Sequence, residues 1–184
     1  MQITQQPEVN ASMYEDVRTA VFADSVRKEE EAAAAAEEKR LEEEAAKAIA
    51  DRIAALPGLL KDAAKKGDAG QIQELLKEGA DVNSVDENGY SALYAATMYQ
   101  KEQCVVALIQ AGATIDCYNN NGVSPLMAAA RDGYTAIVKE LLAAGADVWQ
   151  VDEFGRTADS VADEKGFPET SALVKEWAAA HPKA

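Results

Sequence analysis

The chain has 184 residues, 48% of them hydrophobic, with 32 acidic against 18 basic side chains and a formal net charge of -14. The acid is distributed, 13 acidic and 7 basic residues in 1–56 and 19 and 11 in the rest. It repels phosphate backbones and anionic lipid, which excludes nucleic acid and an anionic membrane as natural partners.

The two cysteines, Cys104 in an apolar helical run and Cys117 in a loop, give no disulfide framework. They fit a reducing compartment. Met1-Gln2-Ile3-Thr4-Gln5-Gln6-Pro7-Glu8 lacks the basic start and apolar run of a signal peptide, and charge interrupts every alanine-rich window before a membrane span is reached. The expectation is an intracellular, cytoplasmic protein with no membrane insertion.

Residues 1–11 are polar and read as a flexible start. Ser12 offers an N-cap oxygen and Glu15 the reciprocal acceptor of a capping box. From Ser12 to Leu56 there is neither glycine nor proline. Tyr14, Val17, Val21 and Phe22 fall at helical spacing, and Leu41, Ala45, Ile49, Ile53 and Leu56 resume it beyond an alanine and glutamate run. The segment 12–56 therefore predicts a helix about 65 Å long. Three readings stay open for it: packing on the rest of the chain, a solvated arm, or pairing with a second copy. A coiled coil asks for large apolar residues over several heptads, and residues 27–40 offer only alanine.

Pro57-Gly58 is read as closing that helix. Leu59 to Lys66 then forms a short helix ended by Gly67, and Gln71 to Glu78 a second, with Ile72, Leu75 and Leu76 on one face and Gly79 as its stop. From Gly79 onward the chain is periodic. Gly79-Ala80-Asp81-Val82 returns as Gly112-Ala113-Thr114-Ile115 and as Gly145-Ala146-Asp147-Val148, each 33 residues after the last, and Gly89, Gly122 and Gly155 keep the same step. A fixed period of this size marks a solenoid, whose units bury their apolar faces only by stacking. The inner units read Asn88-Gly89-Tyr90-Ser91-Ala92-Leu93 and Asn121-Gly122-Val123-Ser124-Pro125-Leu126. Asn-Gly supplies a tight turn, Ser91 a cap, and Pro125 suits a first helical turn. In the last unit Asp159 stands where Leu93 and Leu126 stood, a polar end where no further unit covers it.

These motifs resemble the ankyrin repeat, a turn followed by two helices, over residues of about 54–180. The resemblance implies an all-α, short ankyrin-repeat solenoid with an N-terminal long helix. Its parts would be a start at 1–11, the helical segment 12–56, an ankyrin-repeat domain at 57–180 and a tail at 181–184. The repeats would fall near 54–85, 86–118, 119–151 and 152–180. Against the family pattern, Tyr94, Met127 and Ser160 replace the usual histidine, so the hydrogen bonds it gives between turns are absent or replaced. Asn83 keeps the usual asparagine, while Asp116 and Trp149 do not.

No enzyme constellation emerges. The single histidine, His181, lies beside Pro182 near the end of the sequence, and the cysteines are unpaired, so neither a histidine triad nor a multi-histidine zinc site can be built. No phosphate-cradling or dinucleotide glycine motif occurs. No cofactor and no metal are expected.

The resemblance instead implies recognition by turn tips and first-helix faces. On this sequence that concave surface comprises Glu87, Asn88, Tyr90, Met98 and Tyr99, then Asn120, Asn121, Val123, Arg131 and Asp132, then Glu153, Phe154, Arg156, Glu164 and Lys165, with Tyr118 and Trp149 from the connecting loops. The expected function is non-enzymatic protein binding, as an adaptor, inhibitor or scaffold, with the net charge favouring a basic soluble partner. The alternative is a structural protein that forms a homo-oligomer through residues 12–56.

Overall fold

The computed structural model describes residues 11–182, with side chains from Tyr14 onward. The expectations for residues 1–10, for the Ser12 hydroxyl and for Lys183 and Ala184 lie outside the described residues and side chains. Within the described range the chain forms eight helices and no strand; a single bridge pairs Val85 with Ser91. The fold is all-α.

The first helix, α1 (Ala11–Lys66), contains Pro57 and ends only at Lys66. This corrects the reading that Pro57-Gly58 closes it. Proline inside a helix removes the amide that would reach the carbonyl four residues back, at a cost of about 3 kcal/mol. Burial on either side of it offsets that cost. Leu56 is 2% exposed, and Leu60, Ala63 and Ala64 are fully buried, where each leucine is worth about 1.5–3 kcal/mol.

Contacts divide the chain into two units, Met1–Asp51 and Arg52–Ala184. In the first, charge pairs at helical spacing line α1: Arg27 with Asp24 and Glu31, Lys28 with Asp24, Lys39 with Glu43 and Arg40 with Glu37. Tyr14, Val17, Val21 and Phe22 are exposed.

The second unit is the repeat stack. The last turns of α1 share the hydrophobic core with α2 (Ala69–Lys77), while α3 (Ala92–Met98) packs on α4 (Glu102–Gln110), α5 (Pro125–Arg131) on α6 (Thr135–Ala143), and α7 (Ala158–Lys165) on α8 (Pro168–Ala180). Small side chains let the inner helices stack closely: Ala96, Ala129 and Ala162 occupy one register with no exposure. The outer helices supply the larger core residues, including Ile72, Val105, Leu108, Val138 and Leu141. Ser91 caps α3 as its position predicts, Ser124 caps α5 from the same register, and Pro125 opens α5. After α2, α4 and α6 the chain turns at Gly79, Gly112 and Gly145, with φ of +96°, +84° and +90°. Ala178 holds that register in the last repeat, and α8 runs on to Ala180.

Candidate functional site

Three turn tips carry the candidate surface, and one side chain builds each. Asp86, Asn119 and Asp152 stand 33 residues apart, three before Gly89, Gly122 and Gly155. In every case Oδ1 accepts from the backbone amides two and four residues on. The partners are Asn88 and Tyr90 at 2.9 Å, Asn121 at 3.0 Å and Val123 at 2.9 Å, and Phe154 and Arg156 at 2.9 Å. The tips are also tied to one another. Asn120 donates from its backbone to the Asn88 carbonyl at 3.1 Å and from its side chain to the Glu87 carbonyl at 3.0 Å. The Glu153 amide reaches the Asn121 carbonyl at 3.3 Å. A Cβ on Gly89 would come within 3.1 Å of the Asn119 Cα, so the spacing of the first two tips needs glycine there.

Charge braces the same carboxylates. Lys61 Nζ donates to Asp86 Oδ2 at 2.6 Å, and this bond holds the Asp86 carboxyl below its usual range against the opposing effect of burial. Burial pushes Asp152 up, but the Arg156 amide and guanidinium and the Phe154 amide outweigh it, and its acidity is strengthened overall. Arg156 holds Asp152 at 2.8 Å and Glu164 at 3.1 Å, and its guanidinium lies 4.9 Å from the Phe154 ring centre.

The inner helices supply the floor. Tyr90 and Tyr94 have ring centres 4.8 Å apart, and the Tyr94 hydroxyl accepts from Asn119 Nδ2 at 3.2 Å. Tyr94 therefore restores, from the position of the missing histidine, a bond to the next turn. Burial pushes its phenol up to about 12, so it stays protonated. Ser160 instead completes the capping box of α7 with Thr157. Met98, Arg131 and Glu164 share one register and Tyr99, Asp132 and Lys165 the next, each step 33 residues. Arg131 Nη2 lies 3.3 Å from Met98 Sδ, while its Nε and Nη2 each hold Asp132 at 2.8 Å.

A cleft of about 310 Å³ gathers Asn88, Tyr90, Met98 and Tyr99 around Tyr94, Ala95 and Asp86, with Lys61 and Lys65 as its other wall. Those two lysines are absent from the surface expected from sequence. The first repeat has no turn motif, and although Leu60 keeps the register of Leu93 and Leu126, that register marks a core position and does not single out Lys65, one period before Met98. Trp149 lies elsewhere, lining a cleft of about 410 Å³ with Val148, Val174 and Ala178. Its register is that of Asn83 and Asp116, whose side chains accept the Thr114 amide at 2.7 Å and the Asp147 amide at 3.0 Å. Tyr118 shares a register with Val85 and Val151, all three exposed. Phe154 is 72% exposed, and Glu87, Asn121, Glu164 and Lys165 are exposed beside the half-buried Val123.

Cys104 and Cys117 are free thiols whose burial raises their pKa, which makes them poor nucleophiles. Among the described residues no cluster of three or more His, Cys, Asp or Glu is placed to hold a metal, and no helix is long and apolar enough to cross a membrane.

Residues 60–152 match the family described as Ankyrin repeats (3 copies). The chain belongs to the ankyrin-repeat family, a non-enzymatic scaffold for protein interaction. A comparison with curated proteins finds no match for the chain.

Proposed function

We propose that the chain binds a protein or peptide across the concave face formed by its turn tips and inner helices, acting as an adaptor, inhibitor or scaffold. The observation that carries this reading is the ladder of three side-chain-anchored turns, bonded tip to tip, which with the inner helices holds Tyr90, Tyr99, Arg131 and Phe154 on a backbone that needs no ordering at the moment of binding. Aromatic and arginine side chains on a fixed frame are the groups that contribute most at interfaces. Affinity capture with the intact chain and with a Tyr90→Ala, Tyr99→Ala, Phe154→Ala variant tests it. Loss of the same partners from a variant with an unchanged melting profile is the expected result. Identical partners and affinities reject the face.

A second reading is self-association through α1, favoured by the exposed Tyr14, Val17, Val21 and Phe22. Mass measured against concentration, before and after removing Met1–Asp51, decides it. The cut belongs at Asp51 because Leu56 is part of the repeat core. An unaltered monomer across concentration ends this alternative.

A further inference from the structure

Resting on the concave-face reading, we propose that the partner segment seated along the inner helices of the first three repeats is acidic, an extended peptide with carboxylates on either side of an apolar side chain. The cleft's own carboxylate is already used. Asp86 Oδ2 takes Lys61 at 2.6 Å, and Oδ1 takes two backbone amides at 2.9 Å.

The donors, by contrast, have capacity left. Tyr94 accepts from Asn119, so its own proton is free to give, and burial keeps that proton in place at physiological pH. Lys65 finds its closest carboxylate, Asp62, only at 3.7 Å and on the open face of α1. Asp132 occupies Nε and Nη2 of Arg131, which leaves the Nη1 edge for a ligand. Among the charged side chains a peptide can bring, the one with acceptors and no donors is a carboxylate.

Register gives the rest of the pattern. Lys65, Met98 and Arg131 lie one period apart, so a cation, an apolar thioether and a second cation follow one another along the inner helices. Their complement is acid, apolar, acid. The overall charge of -14 pulls the other way. Exposed charges are screened beyond about 8 Å at physiological salt, however, so the groups lining the cleft decide the sign.

The test is selection of a random displayed dodecapeptide library on the full chain at physiological salt, followed by titration of the synthesised winner against the parent, Lys65→Glu, Lys65→Arg and Tyr99→Ala proteins. Enriched peptides should carry Asp or Glu on both sides of Leu, Met or Phe. Lys65→Glu should weaken the winner about ten-fold or more, Lys65→Arg should not, and Tyr99→Ala should weaken it too. Neutral or basic winners that depend on Tyr99 overturn the acidic assignment and leave the concave face standing. Acidic winners that ignore Lys65→Glu overturn the cleft assignment. Winners indifferent to both substitutions overturn the inference, while the face itself stands or falls with the Tyr90→Ala, Tyr99→Ala, Phe154→Ala variant, and failure to enrich any peptide overturns the inference.

Discussion

At the N-terminal end of the repeat stack the register of Leu93 and Leu126 still holds a leucine, Leu60, whereas the C-terminal end puts Asp159 there. The register of Ile109 and Leu142 behaves alike, with Leu76 at one end and Lys175 at the other. Leu60, Leu93 and Leu126 are all at most 1% exposed. These positions are covered by the next repeat along the chain, so only the last repeat must give up its apolar groups. There Asp159 accepts from Thr157 at 2.6 Å and Lys175 holds Asp163 at 2.6 Å. Polarity at a solenoid end is thus directional: it falls on the side chains that have lost a neighbour, not on the terminal repeat as a whole.

Four substitutions and one titration probe that contrast. Leu93→Ala, in the middle of the covered register, should cost about 3–4 kcal/mol, read as a drop in the denaturant midpoint. Asp152→Ala should cost about 2–3 kcal/mol by stranding two turn amides and Arg156, and hydrogen exchange should rise at Phe154 and Arg156 first. Pro57→Ala should raise stability by about 1–3 kcal/mol, read as a higher midpoint, by restoring an amide inside α1, which no substitution at the C-terminal end can imitate.

Acid should act next. Asp86 and Asp152 lie below the ordinary value of 3.8 when folded, so the unfolded chain binds more protons as the pH falls. Their contribution is full above the ordinary carboxylate range. It is lost as the pH drops through their folded values, and thermal melts from about pH 7 to about pH 3 should show the decline beginning near pH 4–5. Asp159→Leu should have the smallest effect, within about 0.5 kcal/mol, because the side chain is half-buried and no repeat among the described residues covers it. A cost there comparable with that of Leu93→Ala would overturn the directional account.

Much of the fold was legible in glycine spacing alone, since Gly79, Gly112 and Gly145 fix both period and helix ends. Pro57 misled because local propensity marks it as a stop, while the burial of Leu60 and Ala64 becomes visible only once α2 and the second repeat are in place. The residues that build the turn tips, Asp86, Asn119 and Asp152, keep the period too, but the turn glycines three residues later carry the stronger local signal and mask them. Tyr94 stands out as a departure from the family pattern, yet its bond to Asn119 depends on a turn 25 residues away. Lys61 and Lys65 were hidden for a simpler reason: they flank the buried Leu60, Ala63 and Ala64 in a repeat without a turn motif, so no local signal marks them as lining a cleft.

Trp149 has a consequence for lengthening the molecule. Asn83 and Asp116 each offer an oxygen across to the adjoining unit, and an indole at that position offers none. A designer who appends another copy of the 33-residue module would therefore have to change position 149 to Asn or Asp, positions 159 and 175 to Leu, and position 178 to Gly so that the chain can turn out of α8. Without those changes the added module would hang from the chain rather than continue the array.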